Sequence, residues 1–395
     1  MEKKDLLVKL LYLVLLLPFF KTDFIARYTE ISNLFNILKI ISIVIITVMF
    51  AKKGKINENL MFIGLFCLWP IFITFIKGDN FNLCFNLYGM ILILSLMFEV
   101  KNNDIRFIEA LLFCFEIVIY INFITMIICP NGLYTTGNEE VGIATGNWFL
   151  GFKNVMIAYF LPAYITSYLY KNISGKKIRN NILVMVICIS AILSKSATSI
   201  VGIITLCIFS NCKFFNRKGK IFNIKNYIII YIIIFILIVI FRTQNMFSLL
   251  IVDILHKDLT FTNRTVLWDI TLDKIKQSPI LGYGCQNNNI RHFMYNSETI
   301  ITAHNQFLEF IYTGGIIMFG IYIMMIFKFG KKLKGFYDDK NIQIISLGFL
   351  IFQIINLTEV YFNPLIYLVL IYLAYAKKFS LKENDNNVIN YNSGI

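Results

Sequence analysis

The feature that most constrains this chain is a series of long apolar runs separated by short charged stretches. One run holds fifteen consecutive apolar residues, from Tyr227 to Phe241. A helix needs roughly 20 apolar residues to cross the hydrocarbon core, and in lipid every backbone polar group must be bonded internally. Hydrophobic residues make up 57% of the chain and charged residues 15%, too few to cover a soluble domain of this length. The sequence therefore predicts an all-α polytopic membrane protein.

The apolar runs predict about twelve transmembrane helices within one membrane domain, 1–380. The first run follows two lysines as in a signal peptide, but no small-residue cleavage site follows it, so we expect it to be retained. Residues 381–395 form a polar, Asn-rich tail that is expected to be disordered. In chain order the predicted spans are 5–20, 34–51, 58–76, 80–98, 107–128, 154–170, 181–194, 197–211, 227–241, 304–328, 342–357 and 361–376.

The basic residues predict the orientation of these spans. If the N-terminus is cytoplasmic, the cytoplasmic segments carry 24 Lys and Arg and the outer segments carry 11. This surplus is the positive-inside pattern, so both termini are expected in the cytoplasm. The formal net charge of +14 then reflects topology and contact with anionic lipids. Nucleic acid is not an expected partner, because no basic stretch is interleaved with exposed aromatic residues.

One connection is long, and we expect it to carry function. The predicted outer loop 242–303 has about sixty residues, whereas loops longer than about 15 residues are usually functional. The apolar stretch 246–255 is expected to lie in the membrane interface. Asn263 can N-cap a helix that runs to about Gln277, and a second short helix is expected near 289–294. Between them, Gly282-Tyr283-Gly284 predicts a tight bend.

Two residues open the first predicted loop helix. Arg264 stands at a helix start, where its charge opposes the helix dipole; it either meets an anion there or is a solvated loop arginine. Trp268, one turn later, either anchors in the membrane interface or stacks on a sugar. Arg291, in the second short helix, is a further candidate for contact with a glycan or a pyrophosphate.

The tenth span begins with three polar residues. His304 stands where the outer loop enters the membrane helix, and a helix N-terminus favours the neutral imidazole. A neutral imidazole suits a general base toward a hydroxyl; the alternative is a capping or interface histidine. Asn305 and Glu309 lie one turn apart on this helix, and an intramembrane carboxylate normally faces a cavity or a partner.

Other outer turns add cations and a carboxylate. Lys195 lies among the hydroxyls of residues 194–199 at a helix start, which is either a phosphate cradle or a simple turn. Lys153 and Asn154 open the sixth span in the same way, and Glu359 precedes the last span and can pair with these cations. No ligand-spaced His, Cys or Glu pairs appear, so neither a metal nor a cofactor is expected.

The spacing of these motifs resembles that of the O-antigen ligase/polymerase superfamily, which includes the Wzy-type repeat-unit polymerases. The resemblance rests on residues 263–314. It comprises Asn263-Arg264-x-x-x-Trp268, ten residues, Pro279-x-x-Gly282-x-Gly284, then His304-Asn305-x-x-Leu308-Glu309-x-x-x-x-Gly314. The segments Gly151-Phe152-Lys153-Asn154 and Ser194-Lys195-Ser196 are also similar. Many members have Arg in this second segment, and Lys195 lacks the bidentate contact that Arg makes with phosphate.

The resemblance implies a GT-C-like glycosyltransferase at the outer face of the bacterial cytoplasmic membrane, acting on undecaprenyl-pyrophosphate-linked oligosaccharides. An acceptor hydroxyl would attack the sugar C1 on the pyrophosphate, with inversion and without a metal. Arg264 would contact the pyrophosphate and His304 the acceptor hydroxyl. Lys195, Lys153, Asn154, Trp268, Arg291, Asn305, Glu309 and Glu359 would bind the pyrophosphate or the glycan.

Three functions fit the sequence. The first is a repeat-unit polymerase for capsule or O-antigen, with a chain-length regulator and a flippase as further expected partners besides membrane lipids. The second is a ligase that moves finished glycan onto another acceptor. The third, of a different class, is a lipid-linked oligosaccharide flippase, which is expected to carry its charges along a central cavity and to have short outer loops. The long loop with Arg264 and His304 favours catalysis.

The predicted orientation can be checked by cysteine labelling. In a cysteine-free variant, Ser297→Cys is expected to react with an impermeant maleimide on intact cells, because residue 297 lies in the outer loop. A cysteine at Asn386 is expected to react only after permeabilisation. Labelling of residue 386 on intact cells would show that the predicted orientation is wrong.

Overall fold

The computed structural model is almost entirely helical, with one small β-hairpin. It describes residues 3–101, 104–136, 145–211, 223–241 and 264–381. The helices are α1 (Lys3–Leu16), α2 (Asp23–Ala26), α3 (Thr29–Lys53), α4 (Glu58–Lys77), α5 (Phe81–Cys84), α6 (Met90–Lys101), α7 (Ile105–Ile128), α8 (Ile157–Ser174), α9 (Lys177–Leu193), α10 (Ala197–Asn211), α11 (Ile224–Phe235), α12 (Arg264–Gln277), α13 (Asn288–Tyr295), α14 (Gln306–Lys332), α15 (Lys340–Asn356) and α16 (Leu368–Ala374).

Short helical turns extend or join several of these helices. A π-helical turn joins α5 to α6, and another follows α11; 3-10 turns follow α1 and flank α16. They span Phe85–Gly89, Ile236–Ile240, Leu17–Phe20, Pro364–Tyr367 and Ala376–Phe379.

Every predicted span overlaps a helical segment. Within the described ranges, five helices are long and apolar enough to cross a membrane, namely α3, α4, α7, α14 and the continuous helix Phe81–Lys101. Four shorter apolar helices are Ala197–Ser210, Ile224–Ile240, Lys340–Asn356 and Pro364–Ala374. The number of crossings and their orientation therefore stay predictions, whereas the mostly helical character is confirmed.

The apolar surface of α3 shows why a helix of this kind suits lipid. Ile37, Ile40 and Val44 are 57%, 62% and 56% exposed. An exposed row of branched aliphatic side chains would be costly in water and is neutral in hydrocarbon.

An ion-pair network joins charged side chains of three helices. Arg179 donates to both carboxylate oxygens of Glu116, at 2.7 and 2.6 Å, and to Glu109 at 3.3 Å. The ammonium of Lys9 lies 2.6 Å from the other oxygen of Glu109. This network joins α1, α7 and α9, and it satisfies carboxylates that a low-dielectric environment would otherwise penalise.

The hairpin positions the segment that leads into α8. Strand β1 (Tyr134–Thr136) pairs antiparallel with β2 (Thr145–Asn147). Beyond β2, the Trp148 indole donates to the Cys129 carbonyl at 2.8 Å, and the Leu150 amide donates to Asn122 Oδ1 at 2.9 Å. The chain is thereby held against the end of α7 just before residues 153–154.

Helix α14 is broken at Gly315, where φ is 67° and ψ is −173°. The break removes the usual helical partners of the carbonyls just before it. The Tyr283 and Gly284 amides donate instead to the Tyr312 and Thr313 carbonyls, at 2.9 and 2.8 Å, and Ile316 N donates to the Pro279 carbonyl at 2.9 Å. The loop segment 279–284 therefore docks on the membrane helix through its main chain.

Two glycines make this docking possible. A Cβ at Gly315 would lie 1.9 Å from the Ile280 carbonyl oxygen, and its φ/ψ region is accessible essentially only to glycine. At Gly284, where φ is 72°, a Cβ would lie 2.7 Å from Thr74 Cα on α4. At the predicted bend Gly282-Tyr283-Gly284, the loop backbone thus lies directly against the backbones of α14 and α4.

The structure also has helices where the loop was expected to form them. Helix α12 ends at Gln277 as predicted, and α13 includes residues 289–294, where the second short helix was expected. The expected N-cap at Asn263, the interfacial stretch 246–255 and most of the tail 381–395 lie outside the described residues.

Gly315→Ala is expected to undock the loop from α14. The substitution adds backbone strain of about 1–3 kcal/mol and a clash with the Ile280 carbonyl. We expect a lower thermal unfolding temperature in detergent and faster proteolysis between residues 264 and 304. The matched control is Gly320→Ala on the same helix, where an added Cβ meets nothing within 4 Å. Equal behaviour of the two variants would contradict the docking role.

Candidate functional site

The ends of five segments meet around a cavity of about 510 Å³. Its wall combines cations, hydroxyls, one histidine and one carboxylate with a few apolar side chains. The lining residues are Lys153, Asn154, Lys195, Ser196, Ala197, Thr198, Arg264, Leu267, Ile300, His304, Thr358 and Glu359. We call it the cation cavity.

Glu359 is the centre of the polar contacts in the cation cavity. Its Oε1 accepts from Arg264 Nη2 at 2.7 Å and from Asn154 Nδ2 at 3.0 Å. Its Oε2 lies 3.3 Å from His304 Nδ1. The carboxylate side chain is 7% exposed, whereas those of Arg264 and His304 are 21% and 34% exposed. One buried carboxylate therefore holds a guanidinium and an imidazole side by side, both open to the cavity.

A chain of hydrogen bonds supports Asn154. Ser196 Oγ donates to Asn154 Oδ1 at 3.0 Å and lies 3.0 Å from Thr198 Oγ1. The amide of Asn154 thus has its oxygen bonded to the 194–199 turn and its nitrogen to Glu359. This fixes the separation between the start of α10 and the carboxylate.

Two lysines stand at the rim without an ion-pair partner among the described residues. Lys195 is exposed, and Lys153 has its ammonium 5.8 Å from the centre of the Phe152 ring. Three cations thus line a cavity that contains one carboxylate. A site with this balance has affinity for an anion.

Two cavity residues have unusual backbone conformations. Of the described non-glycine residues, only Lys195, Asn296 and His304 have positive φ, at 52°, 48° and 47°. Asn296 forms the C-cap of α13, a position where Asn is common. The other two both line the cation cavity, and residues held in sparsely populated backbone regions cluster at functional sites.

Arg264 reaches the cavity because α12 is packed firmly. It is the first described residue of that helix, and Leu267, Trp268 and Thr271 of the same helix are buried. Thr271 Oγ1 lies 2.9 Å from the Tyr295 hydroxyl, which joins α12 to α13.

Two predicted ligand-binding residues have structural roles instead. Trp268 is only 1% exposed and packs in the hydrophobic core, so its ring presents no face to a sugar or to the membrane interface. Asn305 is fully buried; its Oδ1 accepts from the Phe307 and Leu308 amides, and its Nδ2 donates to the Leu357 carbonyl. It caps α14 and joins it to the end of α15.

Arg291 and Glu309 are brought together, but away from the cation cavity. They form a buried ion pair, and the Arg291 guanidinium also lies 3.9 Å from the centre of the Tyr312 ring. Burial lowers the pKa of Arg291, but the charge and hydrogen bond of Glu309, together with the nearby Tyr312 and Tyr295, raise it by more, so the net shift of the pKa is upward. Arg291 is therefore the partner that the sequence led us to expect for the Glu309 carboxylate. The Arg291–Glu309 pair lines a second cavity of about 350 Å³.

Sequence reasoning missed Thr358 and Ile300 as lining residues of the cation cavity. Thr358 directly precedes Glu359, so the position of this predicted site residue could have indicated that Thr358 also lines the cavity. Ile300 carries no chemical signal, since its place depends on the fold of the segment before α14.

The cation cavity contains the groups for acid–base and anion chemistry. Its imidazole and carboxylate form one pair, and in the part of the chain that the structure describes no group of three His, Cys, Asp or Glu side chains comes together. If His304 donates its Nδ1 proton to Glu359, the Nε2 lone pair is left to accept a proton from a hydroxyl.

A comparison with family models identifies the segment that carries most of these residues. The Wzy_C model, described as O-antigen ligase, matches residues 182–323, a range that includes Lys195, Arg264, Arg291 and His304. A search of curated proteins returns no match. The match confirms the resemblance found in the motifs, and the apolar helices agree with it. Residues 182–323 thus match the O-antigen ligase domain, which supports a relation to the O-antigen ligase/polymerase superfamily of membrane glycosyltransferase-like enzymes, and the apolar helices indicate a multi-pass membrane protein.

Proposed function

We propose that this protein polymerises undecaprenyl-pyrophosphate-linked oligosaccharide repeats for capsule or O-antigen. The reaction is a metal-independent, inverting glycosyl transfer at the outer face of the bacterial cytoplasmic membrane. The observation that carries the proposal is the single carboxylate of Glu359, which joins Arg264 and His304 in a cavity bordered by Lys153 and Lys195.

The charges of the cation cavity suit the donor. Arg264, Lys153 and Lys195 supply three positive charges and Glu359 one negative charge, leaving two positive charges when His304 is neutral. A pyrophosphate that joins a lipid to a sugar carries two negative charges. The three cations would hold it and would stabilise the charge that grows on it as the sugar leaves.

The imidazole suits the acceptor. An acceptor hydroxyl oxygen would form a bond to the sugar C1 while the bond from C1 to the pyrophosphate oxygen breaks. The hydroxyl proton would pass to His304 Nε2, and the bonding pair would leave with the pyrophosphate. Glu359, 3.3 Å from Nδ1, would orient the ring and stabilise the imidazolium, as a carboxylate does in a catalytic triad.

A ligase remains the second candidate, because the matched family model is described as O-antigen ligase. It would use the same donor chemistry with a different acceptor. The product discriminates the two: a polymerase produces a ladder of repeats on the lipid carrier, whereas a ligase transfers glycan in one step to another molecule. A flippase forms no bond and has no need of an imidazole–carboxylate pair.

Arg264→Ala and His304→Ala are each expected to abolish polymer while the protein stays in the membrane. The Arg264→Ala variant would lose hydrogen bonds to a charged group, worth about 1.5–3 kcal/mol per bond. The His304→Ala variant would lose a general base, worth roughly 10²–10⁴-fold in rate. Arg264→Lys is expected to keep partial activity because it retains a cation, whereas His304→Gln has no base and should be inactive. The measurement is glycan length on a gel, with single repeats accumulating on the lipid.

Matched controls come from the same loop. His292→Ala removes a histidine whose Nδ1 contacts the Ser297 carbonyl, and Lys276→Ala removes an exposed cation from α12. Neither residue lines the cation cavity, so both variants should make polymer of normal length. Normal polymer from an alanine variant of Arg264 or His304, at normal expression, would falsify the role assigned to that residue.

Activity is expected to persist in EDTA. The reason is that cationic side chains, not ligand-spaced His, Cys or carboxylate groups, surround the proposed pyrophosphate site. Purified protein in detergent should extend a lipid-linked repeat equally well with and without the chelator. Loss of extension in EDTA, restored by magnesium or manganese, would remove the account in which protein cations alone stabilise the leaving group.

A further inference from the structure

The second cavity, of about 350 Å³, lies beside the segment that carries His304. Ile301 lines this cavity, whereas the preceding residue, Ile300, lines the cation cavity. The proposed base therefore stands at the end of a segment that borders both spaces. The wall of the second cavity is formed by Asn80, Asn82, Leu83, Asn86, Leu87, Tyr88, Cys285, Gln286, Asn288, Arg291, Ile301, Glu309, Thr313 and Phe362.

The charged residues in this wall are unusually buried. Arg291 is 4% exposed and Glu309 is 2% exposed, and Arg291 Nη2 donates to Glu309 Oε1. Among the described residues, Arg291 Nη1 and Glu309 Oε2 have no hydrogen-bond partner. A buried donor and a buried acceptor thus stand unsatisfied in one ion pair, which native structures rarely tolerate without a ligand or water.

The pair is matched to a hydroxyl and not to a phosphate. A hydroxyl group can accept a hydrogen bond from Arg291 Nη1 or donate one to Glu309 Oε2, so hydroxyl chemistry suits either atom. A phosphate oxygen can only accept at neutral pH, and Glu309 would repel it. The cation cavity has a surplus of positive charge, whereas the charges of this second cavity cancel.

The rest of the wall has the chemistry of a sugar site. Side-chain amides of Asn86, Gln286 and Asn288 can donate and accept hydrogen bonds, and the half-buried Phe362 supplies aromatic surface for the C–H face of a sugar ring. Asn86 and Tyr88 lie in the π-helical turn Phe85–Gly89, and π-helical turns occur frequently at functional sites.

The geometry points to the second cavity as the subsite for an uncharged sugar residue of the acceptor glycan, with the Arg291–Glu309 pair binding one of its hydroxyls. The inference rests on the proposed function, because it takes the cation cavity to hold the donor pyrophosphate. It adds that donor and acceptor are recognised by different chemistry, charge in one cavity and hydroxyl groups in the other.

The test separates acceptor from donor by using a lipid-free acceptor. The free oligosaccharide, released by mild acid from the host's own lipid-linked repeat, is titrated against purified full-length protein with the lipid-linked repeat as donor. Glu309→Gln keeps the shape but replaces the free acceptor atom with a donor, and we expect its KM for the free oligosaccharide to rise about 10- to 100-fold. Asn288→Ala, at an exposed position of the wall, is expected to raise it about 2- to 10-fold. The KM for the lipid-linked donor, measured with the free oligosaccharide at saturation, should stay unchanged in both variants.

Asn289→Ala is the matched control, since Asn289 is the next residue of α13, is exposed and does not line the cavity. An acceptor KM that is unchanged in Asn288→Ala, or raised equally in Asn289→Ala, would overturn the assignment. If Glu309→Gln fails to fold, Asn288→Ala alone decides. Binding of the free oligosaccharide by saturation-transfer NMR separates this inference from the proposed function. If the wild-type protein binds the oligosaccharide but transfers no glycan, and Asn288→Ala weakens that binding, the polymerase is refuted and the sugar site is kept. If the wild-type protein transfers glycan and Asn288→Ala leaves binding unchanged, the polymerase is kept and the sugar site is refuted.

Discussion

The site depends on one constraint, the backbone groups that become available where α14 breaks at Gly315. In a membrane helix each such group must find a partner within the protein. Here the Tyr312 and Thr313 carbonyls accept from the loop amides of Tyr283 and Gly284, and the Gly314 carbonyl accepts from the Trp69 indole at 2.7 Å. The break therefore provides the hydrogen bonds that fasten the loop segment 279–284 to α14 and that join α14 to α4.

This fastening determines what the loop presents. Helix α12 comes before the docked segment and carries Arg264, and α13 follows it and carries Arg291. Because both helices are held from the same segment, one arginine meets Glu359 and the other meets Glu309. The glycines of the Pro-x-x-Gly-x-Gly motif thus serve the site by allowing two backbones to approach, and they contact no reacting group themselves.

The sequence predicts the parts of this arrangement that depend on local pattern. Apolar runs located the helices, and the loop helices followed from turn residues and periodicity; Glu359 was correctly expected to pair with one of the outer cations. The parts that depend on packing between distant segments were not predictable. Trp268 looked like a surface aromatic, but α12 turns it into the core, and Asn305 looked like a ligand, but it caps its own helix. The break at Gly315 was missed because a Gly-Gly pair in an apolar run does not by itself reveal that another backbone will approach.

The Arg264–Glu359 and Arg291–Glu309 pairs differ in burial, and this difference decides which of the two can meet a charged ligand. In the Arg291–Glu309 pair both side chains are about 5% exposed or less, so separating them would leave a bare charge in a low-dielectric setting. In the Arg264–Glu359 pair the arginine is 21% exposed, and the neighbouring His304 and Asn154 remain to bond the carboxylate if the arginine turns toward an anion. Solvent also screens the more open pair, which lowers the cost of exchanging a carboxylate for a pyrophosphate. The buried pair is suited to stay closed and to recognise a neutral hydroxyl, and the open pair is suited to exchange partners during a reaction.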